Sequence, residues 1–464
     1  MRHRWPAVLS ALVLLVPFVA SLKAADPPIA LIGFGLVPGH SLDKSGLSGQ
    51  QICQVDDATN CIDRATLGGF GSGLTYTGFD DVFLTVPDRG PFDGRTDVPY
   101  LDRFHFMHLT VGGVFDYPGT PNIHATLLDT RFLKAPGNQN FVGDSSEFEL
   151  RFDPEGVSLG RDGTFFVSDE YGPYINEFNR QGHLIRRIAV PEKFLILNPK
   201  SDVDSAGNSL ELYPNNNVLG RQANRGMEGL AITPDGRYLV GIMQNALLQD
   251  NGLNSATPPG RRGLNNRILK IDLETGATNE YVYVVDAINQ GRGVNDLLAV
   301  NDHEFLVLER DNRSLVPTPG SGNAAAAPNL KRIYKIDLSQ SGLTDVSNVA
   351  SLPETGAGLA SLFINPVSKV LFIDLLNASY KVNATKTIKD VVAEKVEGLA
   401  WGPDLPDGRH VLYVTSDNDL YTGLPTQIFA FAINGSPSGA NIRYEAQQVA
   451  GPMYPPGQVK KALK

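Results

Sequence analysis

The chain is short of cysteine, histidine and basic residues, and it has almost no long apolar run. Its 464 residues include two cysteines and eight histidines, and 40 Lys and Arg face 50 Asp and Glu, for a net charge of -10. That balance argues against a nucleic-acid partner, because phosphate backbones recruit basic surfaces. It suits binding of cations instead. Cys53 and Cys61 are too far apart for a CxxC metal or redox motif. In an oxidising compartment they read as a local disulfide, with two free thiols as the alternative. His303-Glu304 has no second histidine to complete a zincin motif, and Gly-x-Ser-x-Gly and Arg-His-Gly are both absent. A serine triad and histidine-phosphatase chemistry are therefore unsupported. His105 and His108 fall in an expected strand and read as packing or surface residues. The glycine-rich run Gly68 to Gly73 lacks the following Lys-Ser/Thr of a phosphate-binding loop. Asp202 to Gly207 resembles the front of an EF-hand loop, but Tyr213 stands where a bidentate glutamate belongs.

The one pronounced apolar run is Ala7 to Ala20, broken by Ser10 and Pro17. Arg2, His3 and Arg4 precede it, and the small residues Ser21, Ala24 and Ala25 follow. This is the order of a secretory signal peptide, and the run is short of the roughly 20 residues that span a bilayer. Residues 1–25 are expected to be a cleaved signal, and a membrane anchor is the weaker alternative. The expected location is secreted or periplasmic. No other segment suggests a membrane span.

What the chain does have is turns and short strands. Val82 to Val86, Thr164 to Val167, Tyr238 to Val240, Phe305 to Leu308 and Val411 to Val414 are rich in β-branched and aromatic residues. Asp162-Gly163, Asp235-Gly236 and Asp407-Gly408 supply tight turns before three of them. These pieces belong to a repeat. Its copies open at Glu155-Gly156, Glu228-Gly229, Asp296-Leu297 and Glu397-Gly398. A fainter copy begins at Ser72-Gly73, and another, near Leu362 to Asp374, keeps the strands without the acidic opening. Each unit reads as strand, turn, strand, loop, strand, with room for a fourth strand. Such units bury their faces by packing radially. The expected fold is all-β: a single β-propeller over residues 26–464, six-bladed, with long loop insertions. Candidate insertions are Asn122 to Ser146, Lys193 to Gln222, Gln249 to Asn265 and Ser314 to Asn329. A sandwich pair or a solenoid is the alternative.

In a propeller the first strand of a blade lines the central channel. Glu155, Glu228, Asp296 and Glu397 would then gather at its mouth. A second acidic set follows the next strand and includes Asp88, Asp169, Glu170, Glu309, Asp311, Asp417 and Asp419. Converging carboxylates raise one another's pKa unless a cation compensates. Hard cations such as calcium take six to eight oxygen ligands, so a carboxylate ring suits them. Arg89, Arg225, Arg310 and Lys395 supply basic partners. The structural alternative is that Glu-Gly eases a close backbone approach and that Asp after a strand only makes a turn.

Ser168 to Ile175, Asn224 to Ala231, Lys395 to Ala400 and Ser416 to Asp419 resemble the phytase-like, or "esterase-like activity of phytase", family, in the family's order. The resemblance runs from about Gly35 to Pro452. It implies export and hydrolysis of phosphoric esters. On that reading Glu155, Asp169, Glu228, Asp296, Glu309, Glu397 and Asp417 would hold a divalent cation, Ca2+ first. Arg225, Arg310 and Lys395 would neutralise substrate charge, and Glu170 would act as general base. The expected partner is a small ester or phosphoester, and a monomer is compatible with it. Two rivals are a six-bladed lactonase of the gluconolactonase and paraoxonase type and a non-catalytic binding propeller.

Overall fold

The computed structural model describes residues 28–464, apart from 118, 144–149, 173, 197–217, 255, 257–259, 287–292, 320, 383–390 and 436–441. The expected signal peptide and the EF-hand-like stretch lie outside the described residues.

The chain enters as β1 (Ile29–Val37) and then forms a hairpin, β2 (Gln51–Gln54) and β3 (Asp57–Asp63). Cys53 and Cys61 face each other across that hairpin and are joined as a disulfide. A first blade follows as β4 (Gly73–Tyr76), β5 (Val82–Val86), β6 (Arg103–Val111) and β7 (Ile123–Phe132). The second is β8 (Pro154–Leu159), β9 (Phe165–Asp169), β10 (Ile175–Phe178) and β11 (Leu184–Ile188). The third is β12 (Met227–Ile232), β13 (Tyr238–Met243), β14 (Asn265–Asp272) and β15 (Thr278–Val284). The fourth is β16 (Gly293–Ala299), β17 (Glu304–Arg310), β18 (Lys331–Asp337) and β19 (Lys369–Asp374). The last contains β20 (Lys395–Trp401), β21 (His410–Asp417) and β22 (Thr426–Ile433), and β1 pairs antiparallel with β22 as its outermost strand.

The inner strands β4, β8, β12, β16 and β20 each contact the next, and β20 returns to β4. The ring is therefore closed with five blades. The β-propeller expected from the repeat is the fold observed, but the count of six is corrected to five. The strand near Leu362 to Asp374, read as a weakened unit, is β19, the outer strand of the fourth blade. The proposed insertion Asn122 to Ser146 is corrected in part, because Ile123–Phe132 is β7, paired along its length with β6.

Glycine sets the spacing of the ring. A Cβ on Gly156 would lie 2.6 Å from the Leu230 nitrogen, and one on Gly229 would lie 2.7 Å from the Leu297 nitrogen. Only a residue without a side chain lets neighbouring inner strands pack backbone to backbone here. Away from the axis the blades bury apolar side chains between them. Phe104 and Phe106 of the first blade, for example, join Phe165 and Phe178 of the second in one cluster. Past β22 the chain crosses the end of the axis opposite the start of the inner strands. Backbone bonds from Glu445 to Val300 (2.8 Å), Gln448 to Pro234 (2.9 Å) and Ala450 to Arg161 (2.8 Å) tie it to three blades. A cavity of about 150 Å³ lies between this segment and the inner strands.

Candidate functional site at the mouth of the axial channel

The strand register defines which residues ring the mouth. A bulge lies between Met227 and Gly229 in β12, between Val294 and Asp296 in β16, and between Val396 and Gly398 in β20. The residues inside these bulges are Glu228, Asn295 and Glu397. Glu155 has the corresponding place in β8, whose register shifts between Pro154 and Val157. Asn295, and not Asp296, is thus the fourth-blade counterpart of the glutamates. The repeat read from sequence is one residue out of step there.

Asp296 occupies the position that is glycine in its neighbours. Its Oδ1 accepts from the Leu297 N–H (2.7 Å) and its Oδ2 from the Leu399 N–H (2.6 Å). The Leu230 N–H also donates to it. One buried carboxyl group therefore binds backbone donors of three adjacent inner strands. It also lines the cavity at the far end of the axis.

The charged residues at the ends of the second strands divide in two. Asp169, Arg310 and Asp417 end their strands opposite Pro154, Gly293 and Lys395 and reach the mouth. Glu309 lies one residue earlier, and the pleat turns it to the other face. There it accepts from Lys369 Nζ (2.6 Å), from the Asp286 N–H (3.0 Å) and from the Tyr283 hydroxyl. The structure does not bring Glu309 to the other acids. Asp169 is close to them, but its carboxylate accepts from the Tyr171 N–H (3.0 Å), the Gly172 N–H (3.2 Å) and the Asp153 N–H (3.2 Å). It builds the turn.

Two groups of acids could hold a metal ion by proximity: Asp153, Glu155 and Glu170, and Asp88, Asp417 and Asp419, each with ligand atoms within 4.8 Å of one another. Cations thread between them. Arg89 Nη1 lies 2.6 Å from Asp153 and 3.3 Å from Glu170, and its Nη2 is 2.9 Å from Asp93. Arg225 is 4.0 Å from Glu170. Arg310 pairs with Glu397, and Lys395 pairs with Asp419 and, at 3.2 Å, with Asp417. In the second group Lys395 offsets part of the charge of the three carboxylates. In the first group Glu170 Oε1 is buried without a hydrogen-bond partner, and so is Glu397 Oε2 nearby.

Crowding sets the protonation of this site. Burial, then Glu228 and Asp153, push Glu155 well above the usual carboxylate range. Burial, then Glu170 and Glu397, do the same for Glu228. Burial opposes charge on Glu170 too, but Arg89 and Arg225 outweigh it and hold that group below its ordinary value. Glu170 is therefore the ionised member and Glu228 its protonated neighbour. Burial lifts Asp88 to about 6 against the pull of Lys395 and Arg89.

The sequence reading selected Glu155, Glu170, Arg225, Glu228, Arg310, Lys395, Glu397 and Asp417, and all eight stand at this end of the axis. It missed Asp153 and Asn295. Asp153 precedes Glu155 by two residues, as Lys395 precedes Glu397, so the repeat carried that signal. Asn295 was hidden by the one-residue slip at Asp296.

A five-bladed propeller whose axial mouth is lined by buried carboxylates interleaved with guanidinium and ammonium groups is the class that this fold and site define. The chain belongs to the phytase-like family, described as "esterase-like activity of phytase", whose model matches residues 65–420. A relative from Arthroderma benhamiae, called an uncharacterized secreted protein, is 26% identical over 84% of this chain and 87% of its own length. Among solved structures, a luciferin-regenerating enzyme matches 82% of this chain and 96% of its own, at 13% identity and a TM-score of 0.30. A putative gluconolactonase matches 88% and 99%, at 12% identity and a TM-score of 0.28. No helix among the described residues is long and apolar enough to cross a membrane.

Proposed function

We propose that this protein is an exported hydrolase of phosphoric esters that works at the channel mouth with a divalent cation, calcium first. The observation that carries the reading is the meeting of Asp153, Glu155 and Glu170 within 4.8 Å, with cationic side chains beside them. The donor set fits a hard cation, since every ligand is a carboxylate oxygen. Glu170 Oε1, whose ion pair with Arg225 is long at 4.0 Å, is a buried acceptor that such an ion would satisfy. Asp153 and Glu155, with Glu170 beside them, would hold the ion. When bound, it would polarise a phosphoryl oxygen and acidify a water.

The chain's own groups do the rest. Arg225, Arg310 and Lys395 offset the charge of the phosphoryl group. Glu170, ionised, can accept a proton from an attacking water. Glu228, protonated, and Glu397, paired with Arg310, line the mouth beside them, while Asp169, Asp296 and Glu309 have structural partners. An export signal over residues 1–25 accords with the disulfide and with the relative's description as secreted.

The test is a substrate panel of bis-p-nitrophenyl phosphate, phytate and a lactone, run with and without chelator on the wild type, Glu170→Gln and Glu155→Gln. Hydrolysis of the phosphoesters alone, lost in chelator and in both variants, is the expected result. Lactone turnover alone would transfer the site to the rival chemistry. Full phosphoesterase activity in chelator and in both variants would overturn the reading.

A further inference from the structure

The cavity at the far end of the axis takes no part in the chemistry of the mouth. All five inner strands line it, through residues such as Thr75, Val157, Leu230, Leu297 and Leu399. Residues 444–447 and Val449 of the segment that crosses the axis complete the wall. Its volume is about 150 Å³. Native interiors seldom leave voids larger than a water molecule, and an empty one of this size is destabilising.

The wall has little left with which to hold water. Asp296 already accepts from the Leu230, Leu297 and Leu399 N–H groups. Ser158 Oγ donates to the Leu230 carbonyl (2.8 Å), Trp401 Nε1 to the Ala299 carbonyl (2.8 Å) and Gln447 Nε2 to the Leu159 carbonyl. About five waters would fit by volume, but each needs about two to four polar partners. An apolar cavity of about this size stays dry and takes up a benzene-sized molecule.

The charged residues of the wall narrow the ligand class. No Lys, Arg or His is among the described residues that line it, so nothing there offsets the charge of a buried anion such as a phosphoester. Asp296 and Glu445 are acidic, but Asp296 spends its oxygens on backbone donors and Glu445 is exposed, which leaves a buried ammonium ion without a close partner as well. Tyr76, Trp401 and Tyr444 give the wall aromatic surface, with the Trp401 and Tyr444 rings 4.7 Å apart. Rings of this kind favour another ring as neighbour, and tyrosine adds a polar handle.

We propose that this cavity is a second small-molecule site, on the side of the propeller away from the mouth, for a compact neutral ligand with one aromatic ring and one polar group. It goes beyond the hydrolase reading and does not depend on it.

Phenol is the probe, titrated into the full chain by calorimetry and followed by the emission of Trp401, the one tryptophan outside residues 1–25. Inorganic phosphate and tetramethylammonium are the comparison ions. Ala446 is exposed on the crossing segment and lines the cavity, whereas Gln448 on the same segment is outside the lining. Phenol should bind the wild type and Gln448→Phe within about 2-fold of each other, and Ala446→Phe on the order of 10-fold more weakly, because the new ring takes the ligand's place. No phenol binding to the wild type, equal affinity in the two variants, or phosphate or tetramethylammonium binding that Ala446→Phe removes would overturn the site. Should Ala446→Phe prove unfolded by its melting curve, Trp401 decides. A saturable change in its emission at the calorimetric Kd supports the site, and no change overturns it.

Discussion

Asp296 separates a structural from a metal-binding role for the acids of this channel. Its two oxygens accept from Leu297 and Leu399 at 2.7 and 2.6 Å, and the residue is 4% exposed. Replacing it with alanine leaves those two backbone donors, and that of Leu230, buried and unpaired. Each orphaned donor costs about 1–3 kcal/mol, which is offset in part by removal of a buried carboxyl group. A net loss of about 2–4 kcal/mol follows from these terms. Asparagine keeps one acceptor and should lose about half as much. The assay is urea unfolding in chelator for wild type, Asp296→Ala and Asp296→Asn, paired with a calcium titration of each folded protein. Stability should fall in the order wild type, Asn, Ala, while calcium affinity stays the same. An alanine variant as stable as wild type that no longer binds calcium would refute the reasoning. It would return Asp296 to the ligand role that its place in the sequence repeat suggested.

Arg267 is fully buried and holds Asp250 through two bonds (2.7 and 2.9 Å) and Glu280 through a third (2.7 Å). Arg267→Met should cost about 3–5 kcal/mol, because it strands the buried Asp250 carboxylate and leaves Glu280 with Lys193 alone; a melting temperature within a degree of wild type would contradict this. His105 is buried beside Thr130, and burial, modulated by Asp43 and Arg103, lowers its pKa from 6.5 to about 4. Its folded value is depressed, so it contributes stability above about pH 6.5 that is lost as pH falls toward 4. The size is about 3 kcal/mol. His105→Gln should flatten unfolding free energy between those pH values, and an unaltered acid limb would refute the assignment.

The parts of this fold legible in sequence were those carried by local chemistry. Glu-Gly openings and Asp-Gly turns marked three of the five inner strands, because close backbone approach and tight reversal each demand particular residues. The blade count was not legible, because it depends on which strands pair. Lys369–Asp374 has a strand's composition whether it opens a blade or ends one, and only its pairing with β18 decides. The contribution of Ile29–Val37 to the last blade is a contact across almost the whole chain. At the site, the bulges were the obstacle. One extra residue shifts which side chain faces the axis, so Asp296 and Asn295 exchanged roles. Glu309 was misplaced for a related reason, since alternation along β17 sends it away from Arg310.

The pairing of β1 with β22 has a kinetic consequence. Val37 meets Thr426, so β1 waits for a partner that is synthesised nearly 400 residues later. During that interval its backbone donors and acceptors form a bare edge, the kind that recruits foreign strands. Contacts this distant in sequence also make folding slow, because the entropy of closing the loop is spent before the contact stabilises anything. The blades in between can pair locally as they appear. The final registration of first strand with last is then the slow, aggregation-exposed step in the life of the chain, and the one most in need of a chaperone.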